Sequence, residues 1–256
     1  MTTPPVVSRR IGDVTIHAVH TGWVRCKEAH RTLSGPTSLR LLSIAAGRMW
    51  TEPLPMLVYV IEHVEGVFLV DAGLSEETVA PWPSDDPGNR FFYRHFLDFR
   101  FAPNQRIDRQ LAALGIAPDR VRGIVLSHRH ADHSDGTAHL PQEAAVYVGA
   151  SDWPVHMGAR RGPWPGKMPT LVTNGGAPFG AFPSSRALTS DGAVVIVPLP
   201  GHSPGHLGVI VRTAEADLVF AGDAAFSAEG STDSWWAPDR SRATTTSSLR
   251  SSKPLT

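Results

Sequence analysis

The stretch His128-Arg129-His130-Ala131-Asp132-His133 constrains this chain more than any other, because it sets three imidazoles and a carboxylate directly after the apolar run Val121 to Leu126. In an extended segment side chains alternate with period two, so His128 and His130 point to one side and can grip one ion. Asp132 and His133 follow at the next turn, where they can face a second ion beside the first. Imidazole and carboxylate together are the usual ligand set for zinc and related divalent metals. A histidine-rich surface loop is the bland alternative, but scattered histidines do not arrive as H-x-H-x-D-H.

Further ligand types recur at the ends of other apolar runs. Gly201-His202-Ser203-Pro204-Gly205-His206 follows Val194 to Leu199, and Ala221-Gly222-Asp223 follows Leu218-Val219-Phe220. Near the start, Val70-Asp71-Ala72-Gly73 repeats the pattern of strand, then acid, then glycine. Each places a polar side chain just past an expected strand, where loops carry function on a rigid scaffold. One such segment is weak evidence, and four in one chain are strong.

On these segments the chain resembles the metallo-β-lactamase-fold hydrolase superfamily. H-x-H-x-D-H, a later G-H-[ST]-x-G-H, a G-D segment and an early D-[AST]-G occur in the family's order between Asp71 and Asp223. The resemblance implies an α/β fold, a four-layer αββα sandwich with metals in a cleft at one edge of two sheets. It implies that His128, His130 and His202 hold a first zinc, that Asp132 and His133 hold a second, and that Asp223 bridges the two. It leaves His206 to support its loop by hydrogen bonding. Asp71 is expected behind the ligands, orienting a histidine.

One feature departs from the family. Its members carry a further histidine beyond the bridging aspartate, and none follows His206 here. After Trp235-Trp236-Ala237-Pro238, residues 240–256 are rich in serine, threonine and arginine. They show neither helical spacing nor a closing strand, so they read as a low-complexity, disordered tail behind a domain of residues 1–239. The sandwich is then incomplete at its C-terminal end, as a shifted reading frame or truncated gene would leave it, and the zinc complement is one or two ions.

Composition agrees with one enzyme-sized domain. A chain of 256 residues can bury a sizeable core as one unit, and no repeat divides it. Lys plus Arg equals Asp plus Glu at 24 each, so no global charge points to nucleic acid or an anionic membrane. Residues 1–10 lack the apolar stretch of a signal peptide, and no run is long enough for a membrane span. Cys26 is the single cysteine, which excludes an internal disulfide and suits a reducing cytoplasm. A lone ordinary thiol is the expected reading of Cys26 rather than a nucleophile.

A coarse pass gives strands at 14–19, 56–64, 67–70, 145–148, 194–199, 207–211 and 218–220. Ile107, Leu111 and Leu114 recur at helical spacing until Gly115 stops the helix, and a second helix is expected over 132–140. Strands interspersed with helices fit α/β layering. Residues 21–55 and 153–183 read as loops over the cleft, with Trp153 and Trp164 available to cover an apolar substrate or simply to pack the loop down. Arg160-Arg161 reads as a solvated pair.

The implied chemistry is hydrolysis. Zinc lowers the pKa of bound water from ~15.7 toward ~7, giving hydroxide for attack on a carbonyl carbon, with Asp132 or Asp223 moving the proton. Ser127 and Ser134 lack a G-x-S-x-G context and are expected to support the loop. The spacing from H-x-H-x-D-H to His202 is similar to the N-acyl-homoserine-lactonase-like branch, which implies a small-molecule lactone as substrate. That branch often carries a tyrosine three residues past the bridging aspartate, and Phe226 stands there. A glyoxalase-II-like thioesterase is the enzyme alternative, although its basic cluster would have to come from Arg240, Arg242, Arg250 and Lys253. A metal-binding but inactive family member is the alternative outside catalysis.

Overall fold

Alternation of apolar residues on both faces of successive strands builds a sandwich of two sheets. The computed structural model describes residues 6–28, 44, 46–79, 87–153, 158–159, 164, 166–224 and 243–245. In chain order the first strands are β1 (Val7–Ile11), β2 (Val14–Cys26), β3 (Leu54–His63) and β4 (Gly66–Val70). Short helices α1 (Glu76–Val79) and α2 (Pro87–Phe96) lead to β5 (Leu97–Arg100), then α3 (Ile107–Ala113), β6 (Val121–Val125), α4 (Ala131–Ser134) and β7 (Ala145–Gly149). There follow β8 (Thr170–Val172), β9 (Arg186–Ala187), β10 (Val194–Pro198), β11 (Leu207–Arg212), β12 (Asp217–Phe220) and β13 (Ala243–Thr245).

The first sheet has the order β1-β2-β3-β4-β6-β7-β8, with β5 also paired to β2. Its first half is antiparallel, while β4, β6, β7 and β8 run parallel. The second sheet has the order β13-β12-β11-β10-β9. Val67 and Leu69 of β4 face a core shared with Ile107 and Leu111 of α3, whereas Phe68 and Val70 face the other sheet. Val194 and Ile196 of β10 meet them there, together with Val209 and Phe220. Val195 and Val197 turn to the outer face of the second sheet, where Phe182 and Phe179 cover them. Strands buried on both faces read as continuous apolar runs, which is why they were visible in the sequence. Each fully buried Val, Leu or Ile stabilises the fold by about 1.5–3 kcal/mol.

The direction of the strands places the site. Parallel β4, β6 and β7 all end at one edge of the sandwich, and β10 and β12, each antiparallel to β11, end at that same edge. Polar loops therefore converge at the carboxyl ends of five strands, where open α/β sheets bind ligands.

Several expectations are corrected. Strand β2 continues to Cys26 and pairs with both β3 and β5, so the expected loop at 21–55 is strand over its first residues. The bulge between His20 and Gly22 bends it, which hides the extension from a simple alternation test. The helix expected over 132–140 is α-helical only to Ser134 and continues as a 3-10 turn, Asp135–His139. Strands β1, β8 and β9 and helix α2 had no strong periodic signal. Within the expected tail, Ala243–Thr245 pair parallel to β12, using backbone groups that would otherwise stand open on the edge of that sheet. The rest of the tail, Phe226, Trp235-Trp236 and Arg160-Arg161 lie outside the described residues. No helix among the described residues is long and apolar enough to cross a membrane.

Candidate metal centre

The loop after β6 is folded around Asp71. Backbone ties hold this acid in place: its N–H donates to Val125 O at 2.8 Å, and Ala72 N–H donates to His133 O at 2.8 Å. Asp71 itself has φ of 67°, a left-handed conformation uncommon for a residue with a Cβ. Such backbone persists only where its surroundings over-determine it. Here they do: Asp71 Oδ1 accepts the Ser127 N–H at 2.7 Å, and Oδ2 accepts the Ser127 hydroxyl at 3.0 Å. Oδ2 also lies 2.8 Å from His133 Nδ1. A carboxylate can only accept, so His133 carries a proton on Nδ1 and aims Nε2 at the cleft. Asp71 and Ser127 thus hold the loop and the His133 ring in place.

Around this anchor the structure brings together all six of the candidate ligands. His128 Nε2 lies 2.9 Å from His130 Nδ1, and His202 Nε2 lies 3.1 Å from the same Nδ1. His128, His130 and His202 form one group spaced to hold a cation, and His128, His133 and Asp223 form another. His133 Nε2 lies 3.4 Å from Asp223 Oδ1 and 3.8 Å from Asp132 Oδ2. Asp223 Oδ2 is 3.6 Å from His202 Nε2, so this one carboxylate faces both groups. Gly222 makes the approach of the β12 loop feasible: its φ is 50°, and a Cβ there would lie 2.8 Å from the Ser127 Cβ.

The donor set fits a divalent ion. Zinc–nitrogen bonds of about 2.0–2.1 Å at tetrahedral angles place neighbouring nitrogens about 3.3 Å apart. The separations of 2.9 and 3.1 Å among the three imidazoles are close to that value. His133 Nε2 is buried and makes no hydrogen bond of good geometry, which leaves this nitrogen open to an ion between it and the carboxylates.

Electrostatics in the cluster follow the same division. Burial, together with neighbouring His133, His130 and His202, pushes the His128 pKa well below the usual imidazole value and keeps it a neutral ligand. Burial also acts against charge on His133, but Asp71, Asp223 and Asp132 outweigh it and raise the pKa well above normal, so without metal Nε2 holds a proton that a bound ion would displace. Burial lifts the Asp132 carboxyl to about 6 against the pull of His133, with Asp223 adding to the rise. At Asp223 burial is outweighed by His133, His202 and His206, which hold the acid well below the usual range. His206 differs from its expected role. Neither of its ring nitrogens has a hydrogen-bond partner among the described residues, and burial lowers its pKa to about 4. Its ring instead packs against His128, with centroids 5.3 Å apart and planes 23° from parallel.

Residues that the sequence did not single out complete the frame. Tyr93 on α2 accepts the Ala131 N–H at 3.2 Å and donates to Gly158 O, while Asn89 Oδ1, one turn earlier, accepts the Gly158 N–H at 2.8 Å. Gly158 is so close to His130 that a Cβ on it would lie 2.9 Å from the His130 Nε2. Helix α2 therefore backs the ring whose Nδ1 faces the other imidazoles. The i, i+4 spacing of Asn89 and Tyr93 was the available signal, but without a strong apolar stripe nothing marked the segment as a helix.

A family model for the metallo-beta-lactamase superfamily matches residues 51–255, which include every one of these side chains. The chain belongs to that superfamily. A probable metallo-hydrolase of Mycobacterium tuberculosis is 35% identical over 179 residues, 65% of this chain and 56% of that protein. The chain thus spans little more than half the length of that superfamily relative. An N-acyl homoserine lactonase of Agrobacterium fabrum is 24% identical over 224 residues, 84% of this chain and 77% of that one. A solved N-acyl homoserine lactone hydrolase, with the product N-hexanoyl-L-homoserine at its catalytic metal centre, shares the superfamily fold at a TM-score of 0.63. Identity to it is 19%, over 86% of this chain and 79% of that one.

Proposed function

We propose that this chain is a zinc-dependent hydrolase that opens an ester-type bond in a small molecule, with a lactone as the leading substrate class. The observation that carries the reading is the convergence of His128, His130, His202, Asp132, His133 and Asp223 at one edge of the sandwich, with donor spacing that suits divalent ions. When bound there, such an ion supplies an activated water at neutral pH and a Lewis acid for the carbonyl oxygen. The chain's own part is to hold and orient. His128, His130 and His202 would hold the first ion, Asp132 and His133 the second, and Asp223 both. Asp71 is consumed by Ser127 and His133. Asp132 and Asp223 are thus left as the carboxylates in the cleft that can take a proton from the attacking water and return it to the leaving oxygen.

Lactone chemistry is favoured by the lactonases among the relatives and by a fold shared with a solved lactone hydrolase. A lone cysteine suits a reducing cytoplasm as the place of action. The test is a panel of N-acyl homoserine lactones, simple lactones and glutathione thioesters, assayed with metal content measured on the same preparation. Expected is lactone opening that needs bound metal and returns when zinc is restored after chelation. Thioester cleavage without lactone cleavage would transfer the protein to the thioesterase reading. Bound metal with neither activity would make it a metal-binding, inactive member.

A further inference from the structure

Behind the imidazoles lies a buried carboxylate that this reading leaves unused. Asp152 closes the 3-10 turn Ala150–Asp152 after β7 and is wholly buried. A carboxylate tolerates such a place only when hydrogen bonds to its charged form replace water. Two of the bonds it accepts come from the loop that carries His202. The Ser203 hydroxyl donates to Asp152 Oδ2 at 2.6 Å, and the Gly205 N–H donates to Oδ1 at 2.6 Å.

The same segment grips the other histidine loop. Arg129, between His128 and His130, donates from one guanidinium nitrogen to Asp152 O at 3.0 Å and to Trp153 O at 2.5 Å. Its guanidinium carbon also lies 4.7 Å from the centroid of the Trp153 ring. The loop that carries His202 is in backbone contact with the end of β7: a Cβ on Gly149 would lie 1.8 Å from Gly205 O, so a larger residue cannot fit without moving the loop. Residues 150–153 therefore clasp both loops that bring imidazoles to the first cluster.

We propose that Asp152 is a positioning residue, which clamps residues 201–206 onto the segment that anchors Arg129 and so sets the reach of His202 Nε2 toward His130 Nδ1. The inference rests on reading His128, His130 and His202 as a metal site. Without the clamp the ion itself must order the loop, and the apparent affinity falls with the fraction of molecules whose loop is already in place. Losses of this kind, at residues that orient a ligand, are about 10–100-fold.

The experiment is cobalt(II) titration of metal-depleted protein, followed by the visible absorption of the bound ion, on full-length wild type and variants. Asp152→Ala is expected to weaken the tighter cobalt site by about 10–100-fold and to alter its absorption bands. Asp152→Asn keeps an oxygen for the Gly205 N–H and an amide for the Ser203 hydroxyl, so it should recover to within about 5-fold of wild type. His202→Ala should weaken the same site, and adding Asp152→Ala to it should cost nothing more, because a residue acting through His202 has no effect once that ring is gone. If Asp152→Ala folds poorly, Ser203→Ala breaks one bond only and should show a smaller loss of the same kind. Unchanged cobalt affinity in folded Asp152→Ala, or in Ser203→Ala where that variant stands in, overturns the proposal alone. So does full additivity with His202→Ala. Wild type that binds no cobalt overturns the metal reading and this inference with it.

Discussion

His128→Ala is expected to abolish binding of the first ion, loosen the second and lower hydrolysis by about 10³-fold or more. His128 belongs to both groups of side chains spaced to hold a cation, one with His130 and His202 and one with His133 and Asp223. Its ring lies 4.4 Å from that of His130 and 4.2 Å from that of His133, centroid to centroid. The Ser127 hydroxyl 3.0 Å from Nδ1 fixes the ring, and burial keeps it neutral and therefore able to bind metal. Taking away one of three nitrogens leaves an open, weak site. Loss of a Lewis acid worth several kcal/mol in the transition state, at 1.36 kcal/mol per decade, gives the factor of about 10³. His130→Ala should match it at the first ion and spare the second, since His130 belongs to the first group alone. Metal analysis and the lactone assay on the same samples check both. A His128→Ala protein with wild-type metal content and activity would remove the basis for the whole assignment.

What the sequence made legible follows from how these side chains are delivered. H-x-H-x-D-H, G-H-S-P-G-H and G-D each sit within a few residues of an apolar run, so the strand and its ligand are read together. That is why the six candidate ligands and Asp71 are legible in the sequence alone. Strands buried on both faces, such as β4 and β10, were legible for the same reason. Asp152 was not, although it too follows an apolar strand. Its partners, Ser203 and Gly205, are about fifty residues away, and no local pattern announces a contact at that distance. The path of β2 was hidden by its bulge, and α2 by a sequence in which Phe91 faces outward while Asn89 is buried. His206 shows the converse failure: its place in a motif suggested a hydrogen-bonded support, and packing against His128 is what it does.

Two acids in the site are expected to respond to the same substitution in opposite order, depending on what is measured. Asp223 faces imidazoles of both groups, 3.4 Å from His133 Nε2 and 3.6 Å from His202 Nε2. A bridging carboxylate sets the separation of two ions, so Asp223→Asn should lower activity at saturating zinc by about 10³-fold, the scale of losing a Lewis-acid contribution. Asp71 is bonded to Ser127 and His133, so on the proposed reading it orients a ligand without touching the ions, and Asp71→Asn should cost about 10–100-fold. Stability should rank them the other way. Asp71 is buried, and an amide cannot accept from the Ser127 N–H, the Ser127 hydroxyl and His133 Nδ1 together. At least one buried donor is stranded, at about 1–3 kcal/mol. Asp223 is more exposed, at 26%, and meets its imidazoles beyond ordinary hydrogen-bond length, so its amide strands no buried donor; it gives up an attraction to His133 that solvent screens, and should unfold closer to wild type without metal. Thermal unfolding of the metal-free variants beside zinc-saturated kinetics reads both orders. An Asp71→Asn enzyme less active than Asp223→Asn would mean that the bridge and its support have been exchanged, with the acid after β4 nearer the ions than the acid after β12.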